Sequence, residues 1–460
     1  MPLAPQIARH GQRALRCHRC SHQTRQLATA ASGSFNYETG EAAGVKIASR
    51  DLPGPTTHLA VVAKAGTRFQ PLPGYSDGLE KFAFKNTYKR SALRITRESE
   101  LLGGELSSYH SRENLVLSAK FLRDDLPYFA ELLGETISLT KFTGHELHEE
   151  VNPIIDLARK KLLGSTSEFA INSAHGVAFH RGLGNPLHPS SSTPITQYLQ
   201  EDLLQQFSTV AYAKPNFAVV ANGASFSDLN KWVGQFFTDS PSIPRVDVPD
   251  SGKAPSKYYG GEERVAHASG NTLILGFPGS SSFTGGSYKP EISVLTALLG
   301  GQTTIKWSPG FSLLSKATEA YPQAHISTTH QIYSDAGLLT VSLTGNASQV
   351  RDASKEVVKT IKEIAGGKVG SEDIKKAKAT AKFRALESGQ NIDTGIELTG
   401  AGLVQGGKAY QIDEVGKSID GVTDEQVKKA AKALLDGKAS VSAVGDLYVL
   451  PFAEEIGLNV

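Results

Sequence analysis

The chain has 460 residues, 39% hydrophobic and 20% charged, enough to bury a large core and to build two domains or more. Its 48 basic and 46 acidic residues nearly cancel, and no run of 18 apolar residues occurs, which argues against nucleic-acid binding and against a membrane-spanning helix. The basic residues are unevenly placed. Residues 1–27 hold Arg9, Arg13, Arg16, Arg19 and Arg25, and no Asp or Glu precedes Glu38. An arginine-rich, acid-free start with Ser, Ala and Leu predicts a mitochondrial presequence rather than folded chain. Arg25-Gln26-Leu27 followed by Ala28 resembles a matrix-processing site, with arginine three residues before the cut. Both cysteines, Cys17 and Cys20, lie in this segment. Its removal leaves no thiol for a disulfide, for nucleophilic catalysis or for an iron–sulfur cluster. It also leaves 43 basic against 46 acidic residues, a net charge of −3.

The folded part is expected from about Asn36. Short strands are predicted over 45–48 and 59–64, the latter ending at Gly66. The stretch from Gly74 to Ser91 reads as a helix, with Asp77 as its N-cap, Glu80 as the N3 partner of a capping box and Asp77–Lys81 as an i,i+4 ion pair. Ser91 caps a second helix bearing Ala92, Ile95, Ser99 and Leu102 on one side and stopped by Gly103-Gly104. Two paired strands follow over 105–110 and 114–122. Asp124 or Asp125 opens a helix with Leu126, Phe129, Leu133 and Ile137 on its buried stripe. Thr143-x-x-Glu146 is a predicted capping box for a helix over 146–163. His145 and His148 read as part of its solvated acidic first turn, and His175 and His180 share no helical face. A strand over 217–221 and a helix over 227–237 close the first half.

Residues 239–257 hold Pro241, Pro244, Pro249 and Pro255 among Ser, Asp and Lys, a linker composition. After it the order of elements recurs: strands over 272–277, 325–333, 338–344 and 440–444, and helices over 291–299 and 311–320. Further helices carry Val350, Val357, Ile361 and Ile364, or are capped by Ser371 and by Thr423-x-x-Gln426. Leu59 corresponds to Leu273 and Val220 to Val444. The predicted fold is α+β, two similar sheet-plus-helix domains over 36–238 and 258–460.

The segment Ala83-Phe84-Lys85-x-Thr87-x-Lys89-Arg90-Ser91 resembles the stretch that follows the His-x-x-Glu-His motif of pitrilysin-type (M16) peptidases. In that motif two imidazoles one helical turn apart hold zinc and the glutamate activates its water. Aligned on Lys89-Arg90-Ser91, the first ligand position falls on Asp77, the base on Glu80 and the second ligand position on Lys81. An ammonium has three donors and no lone pair, so the motif is degenerate. The distal ligand position falls on Leu157, with Asp156 the nearest carboxylate.

Leu102-Gly103-Gly104-x-Leu106, Ser111-Arg112-Glu113-Asn114, Leu122-Arg123-Asp124-Asp125 and Tyr333-Ser334-Asp335-Ala336-Gly337-Leu338 are similar to segments of the core proteins, the non-catalytic branch of this family in mitochondrial ubiquinol–cytochrome c reductase. The resemblance implies a duplicated LuxS/MPP-type fold with no catalytic, cofactor or metal residue. It further implies a subunit peripheral to the inner membrane on the matrix side, partnered by core protein 1, cytochrome b, cytochrome c1 and the iron–sulfur subunit. A rival reading is the alpha subunit of the mitochondrial processing peptidase, which holds presequences with a glycine-rich loop. The corresponding stretch, 298–310, has three glycines, Gly300, Gly301 and Gly310, among Thr, Ile and Trp. An active metallopeptidase is the second rival, and Lys81 opposes it.

Overall fold

Two mixed sheets carry the chain. The computed structural model describes residues 36–189, 198–243, 254–302 and 310–460. The predicted presequence, most of the proline-rich linker and 303–309 of the glycine-containing stretch lie outside the described residues. The first sheet has six strands: β1 (Glu38–Ala42), β2 (Val45–Arg50), β3 (Thr56–Ala63), β4 (Glu105–His110), β5 (Leu115–Leu122) and β6 (Phe217–Asn222), ordered β1-β2-β6-β3-β5-β4. The second has five: β7 (Gly261–Ala266), β8 (Asn271–Pro278), β9 (Ala324–Ile332), β10 (Gly337–Gly345) and β11 (Ser440–Gly445), ordered β7-β11-β8-β10-β9. Apart from the extra β1 the two orders are the same. Each has one parallel pair, β2–β6 and β7–β11, and is otherwise antiparallel. Leu59 lies opposite Ala221 and Leu273 opposite Ala443. Val220 and Val444 are therefore related with a shift of two residues, and both keep the same sheet face.

The main helices are α1 (Tyr75–Phe82), α2 (Ala92–Leu101), α3 (Leu126–Leu139), α4 (Asn152–Gly164), α5 (Thr166–Phe179), α6 (Glu201–Ala211), α7 (Phe226–Phe236), α8 (Pro290–Leu299), α9 (Ala347–Ala365), α10 (Ser371–Gln390), α11 (Ile392–Ala401), α12 (Ile412–Asp420) and α13 (Asp424–Asp436). Several caps match their sequence signals: Ser91 accepts from the Arg94 N–H, and Thr423 with Gln426 completes a capping box. Others do not. Thr143 makes no cap bond. Its hydroxyl donates to Glu146, whose buried carboxylate also accepts the Asn86 N–H at 3.2 Å. A one-turn π segment, Leu147–Val151, then leads into α4. Gly370, not Ser371, is the N-cap of α10, and the helix expected over 311–320 is confined to Leu313–Ala317.

Both faces of each sheet are buried, which explains why β6 and β11 are shielded along their whole length. On one face of the first sheet Leu59, Val61, Leu117 and Val219 join the core formed with α3 and α7. On the other face Ala60, Val62, Ala218 and Val220 pack against Ile396 of α11, a helix from the second half. The second sheet does the reverse: Ile274 and Val444 pack against Ala170 and Ala174 of α5, a helix from the first half. Two sheet-plus-helix units joined by a linker are expected to turn their sheets toward each other and enclose a cavity. The structure also exchanges a helix between them. A polar cleft of about 370 Å³ remains, lined from both halves by Ser111, Glu113, Ser334 and Glu397.

The halves are also joined by charge. Arg68 donates to Glu113 at 2.6 Å and to both oxygens of Asp335, at 2.7 and 2.8 Å. Glu113 in turn accepts the Ser334 N–H at 2.8 Å, and Asp335 accepts the Ser256 N–H at 2.8 Å.

The exchanged helix gives a test. A Cβ on Gly400 of α11 would stand 2.5 Å from the Val62 side chain of β3. Gly400→Ala is expected to lower stability by about 1–3 kcal/mol, the usual cost of overpacking, measured by thermal or denaturant unfolding. A wild-type midpoint would mean that α11 does not seat on the first sheet.

Candidate functional site: a buried charge cluster on helix α1

Helix α1 is shorter than the sequence pattern indicated. It starts after Gly74, whose φ of 96° suits glycine, and ends at Phe82. Phe84 then takes a positive φ of 61° and the chain turns toward α2. Asp77 is therefore not a cap. It lies within the first turn of the helix, 1% exposed, with Glu80 also buried. The close approach of α6 fixes this placement, because a Cβ on Gly78 would meet Leu204 at 2.6 Å.

Two carboxylates one turn apart in a buried helix need compensating charge. Lys81 pairs with Glu80 rather than with Asp77. His110, at the end of β4, brings Nδ1 to the other Glu80 oxygen, and its Nε2 is 3.0 Å from the Leu187 carbonyl. His188 Nδ1 is 2.7 Å from Asp77 Oδ1. Asp77 Oδ2, 4.0 Å from His110 Nε2, has no hydrogen-bond partner. Both nitrogens of His110 face acceptors, the arrangement of a doubly protonated imidazolium. Burial opposes that charge, but the Glu80 hydrogen bond and the Asp77 charge outweigh it and raise the His110 pKa above its ordinary value. Burial likewise opposes ionisation of Glu80, and His110 and Lys81 outweigh it, holding the carboxyl below the usual range. Sequence reasoning missed both histidines. They arrive from the end of a strand and from the loop after α5, and no local pattern marks them.

The Lys-Arg-Ser segment is structural. Arg90 spans Glu98 and Glu131, 3.3 and 3.2 Å away, and also pairs with buried Glu135. Asp156, the nearest carboxylate to the distal position, pairs with Arg159 at 3.1 Å, and Leu157 is exposed. His145 is exposed beside Glu149, as its acidic first turn suggested. His175 is buried and meets the Tyr333 hydroxyl at 2.9 Å, across the two halves. Arg25, Leu27 and Ala28 lie outside the described residues.

Residues 46–188 match the Insulinase (Peptidase family M16) domain, and residues 198–381 the Peptidase M16 inactive domain. The chain belongs to peptidase family M16. Among its relatives is the mitochondrial cytochrome b-c1 complex subunit 2 of Neurospora crassa, 54% identical over 94% of both chains. The protein of that name from Yarrowia lipolytica is 35% identical over 94% of this chain and 100% of its own. A probable mitochondrial-processing peptidase subunit alpha-1 of Arabidopsis thaliana is 24% identical, over 90% of this chain and 82% of its own.

The family's catalytic zinc asks for three lone-pair donors and an open position. Asp77, His110 and His188 do bring ligand-type atoms within 4.8 Å of one another. Their chemistry does not fit the ion. Both His110 nitrogens are already engaged, with Glu80 and with the Leu187 carbonyl, and the ammonium of Lys81 stands beside Glu80, where the family's second imidazole would be. Two cations already balance two carboxylates, so the M16 family fold is present without its hydrolytic centre.

This balance predicts a pH signature. Because the folded His110 pKa is raised, its stabilisation is complete below the unfolded value of about 6.5 and is lost as pH rises through the folded value. Because the Glu80 pKa is lowered, its contribution holds above an unfolded value of about 4.3 and is lost as pH falls. His110→Ala is expected to cost about 3–5 kcal/mol, as for breaking a buried pair. The deficit, measured by denaturant unfolding across pH 5–9, should be largest near pH 5–6.5 and shrink above it. A deficit that does not vary with pH would show that His110 carries no charge in the folded protein.

Proposed function

We propose that this chain is the non-catalytic core subunit 2 of the mitochondrial ubiquinol–cytochrome c reductase, acting in assembly and as a docking surface. The observation that carries the reading is the Glu80–His110–Lys81 cluster, which puts cations where a peptidase would need electron-pair donors. The extent of similarity to cytochrome b-c1 complex subunit 2 of two fungi supports it. Among the described residues no helix is long and apolar enough to cross a membrane, which suits a subunit held on the complex through protein contacts. In this reading the chain sits on the matrix side. It pairs with a related M16 subunit, core protein 1, and lies against the cytochrome b, cytochrome c1 and iron–sulfur subunits. It binds no haem, metal or other cofactor of its own. The segment 1–27 is its import signal, cut after Leu27. The units 36–238 and 258–460, joined over 239–257, are its two domains, and each encloses the strands of one sheet.

The processing-peptidase alpha subunit is the second reading, and a relative of that name aligns along most of the chain. Native electrophoresis of mitochondrial membranes with mass spectrometry of the co-migrating chains separates the two. Co-migration with cytochrome b and cytochrome c1 is expected. Co-migration with a soluble M16 partner and no cytochrome would overturn the assignment. Zinc analysis of the same band is expected to give far less than one ion attributable to this chain.

A further inference from the structure

Helix α10 carries Ala381, Arg384, Ala385 and Ser388 at i, i+3, i+4 and i+7, and this face lines a cavity of about 380 Å³ in the second half. Small side chains at three of the four positions leave space that larger residues would have filled. Opposite them runs β9, the edge strand of its sheet. Its Ala324 and Ile326 belong to the core, but the next residues of that alternation, Thr328 and His330, are polar and line the cavity. The remaining wall is mostly apolar, with Phe283, Leu398, Tyr410 and Ile419. Ser282, Ile332 and Leu398 also line the cleft between the halves, so the cavity adjoins it.

Most polar side chains of the cavity are satisfied within the fold, as where Thr296 donates to the Ile292 carbonyl and Ser388 to that of Ala385, but two on β9 are not. His330 Nε2 accepts the Ser280 N–H at 3.0 Å, which puts the ring proton on Nδ1. Burial pushes the His330 pKa down to about 4, so the ring is neutral. Neither that Nδ1 nor the Thr328 hydroxyl has a hydrogen-bond partner. A buried donor left unmet costs free energy that an entering acceptor recovers. Arg384 is exposed on the helix and forms no ion pair among the described residues. An apolar cavity of this size with a few converging donors is the usual form of a small-molecule site.

We propose that this cavity binds a free long-chain fatty acid, its alkyl chain along the alanine face of α10 and its carboxylate at Arg384, with the Thr328 hydroxyl and the His330 N–H as further donors. A mono-anionic amphiphile matches both halves of the lining: the walls offer contact to methylenes, and the Thr328 hydroxyl, the His330 N–H and the Arg384 guanidinium can all donate to a carboxylate.

Displacement of 11-(dansylamino)undecanoic acid from the full chain tests this. Palmitate is expected to displace the probe, and Arg384→Gln should weaken palmitate by about tenfold, the loss of one charge-assisted contact. Displacement by hexadecanol should not change in that variant. Ala385→Phe, which fills the cavity, should weaken both by tenfold or more while the thermal midpoint stays near wild type. If that variant fails to fold, the exposed Arg384 change still decides. Failure of palmitate to displace the probe would overturn the proposal. So would equal loss of palmitate and hexadecanol in Arg384→Gln, or displacement only by phosphatidylglycerol vesicles or an amphipathic peptide.

Discussion

The constraint on which the region around α1 depends is the burial of two carboxylates, Asp77 and Glu80, inside an eight-residue helix. Such a helix has little stability of its own, so its position comes from packing, and packing is tolerable only if the charges are met. His110 and Lys81 meet Glu80, and His188 meets Asp77. In the His-x-x-Glu-His arrangement that a zinc peptidase places on such a helix, a divalent ion supplies the positive charge. Here side chains supply it. A cation that is a permanent part of the chain cannot polarise a water for attack. The substitution therefore keeps the fold of the site and removes its chemistry.

The duplication imposes a second constraint. A sheet of this order has two faces to cover, and each half supplies enough helices for one. The other face is covered by a helix from across the molecule, α5 on the second sheet and α11 on the first. Small residues make the exchange possible: Ala60, Ala218, Ala170, Ala174 and Gly400 all sit at these contacts. Neither half can then move away without exposing the inner residues of its neighbour's sheet.

The sequence made much of this fold legible and little of the site. Runs such as Leu59 to Ala63 and Phe217 to Ala221 are apolar at every position, and they are central strands buried on both faces. Ser91 and the Thr423–Gln426 pair marked helix starts because their partners are local. Asp77 and Thr143 are also cap-type residues, but Asp77 meets His188 from a distant loop and the Thr143 hydroxyl donates to the Glu146 side chain instead of accepting a backbone N–H. Local spacing cannot distinguish a cap from a buried carboxylate whose partner arrives from 111 residues away. The helix exchange was hidden for the same reason: nothing local to α11 marks the face of β3 that receives it.

Two motifs that marked the resemblance occupy equivalent places, the turn after β4 and the turn after β9. The first supplies Glu113, the second Ser334 and Asp335, and Arg68 lies between them. Burial disfavours the charge on Asp335, yet Arg68 and the Ser256 N–H outweigh it and keep the carboxyl below its ordinary range. Removing either partner of such a shielded group leaves a charge without compensation, which is far more costly than the pair is stabilising. The motifs thus serve to fix the angle between the two halves. A peptidase chamber must admit its substrate, but a subunit whose contribution is shape must present its surfaces in one arrangement. Exchanged helices joined to an interlocked arginine–carboxylate pair provide that arrangement, and they do so with residues that stand apart from the lost hydrolytic centre.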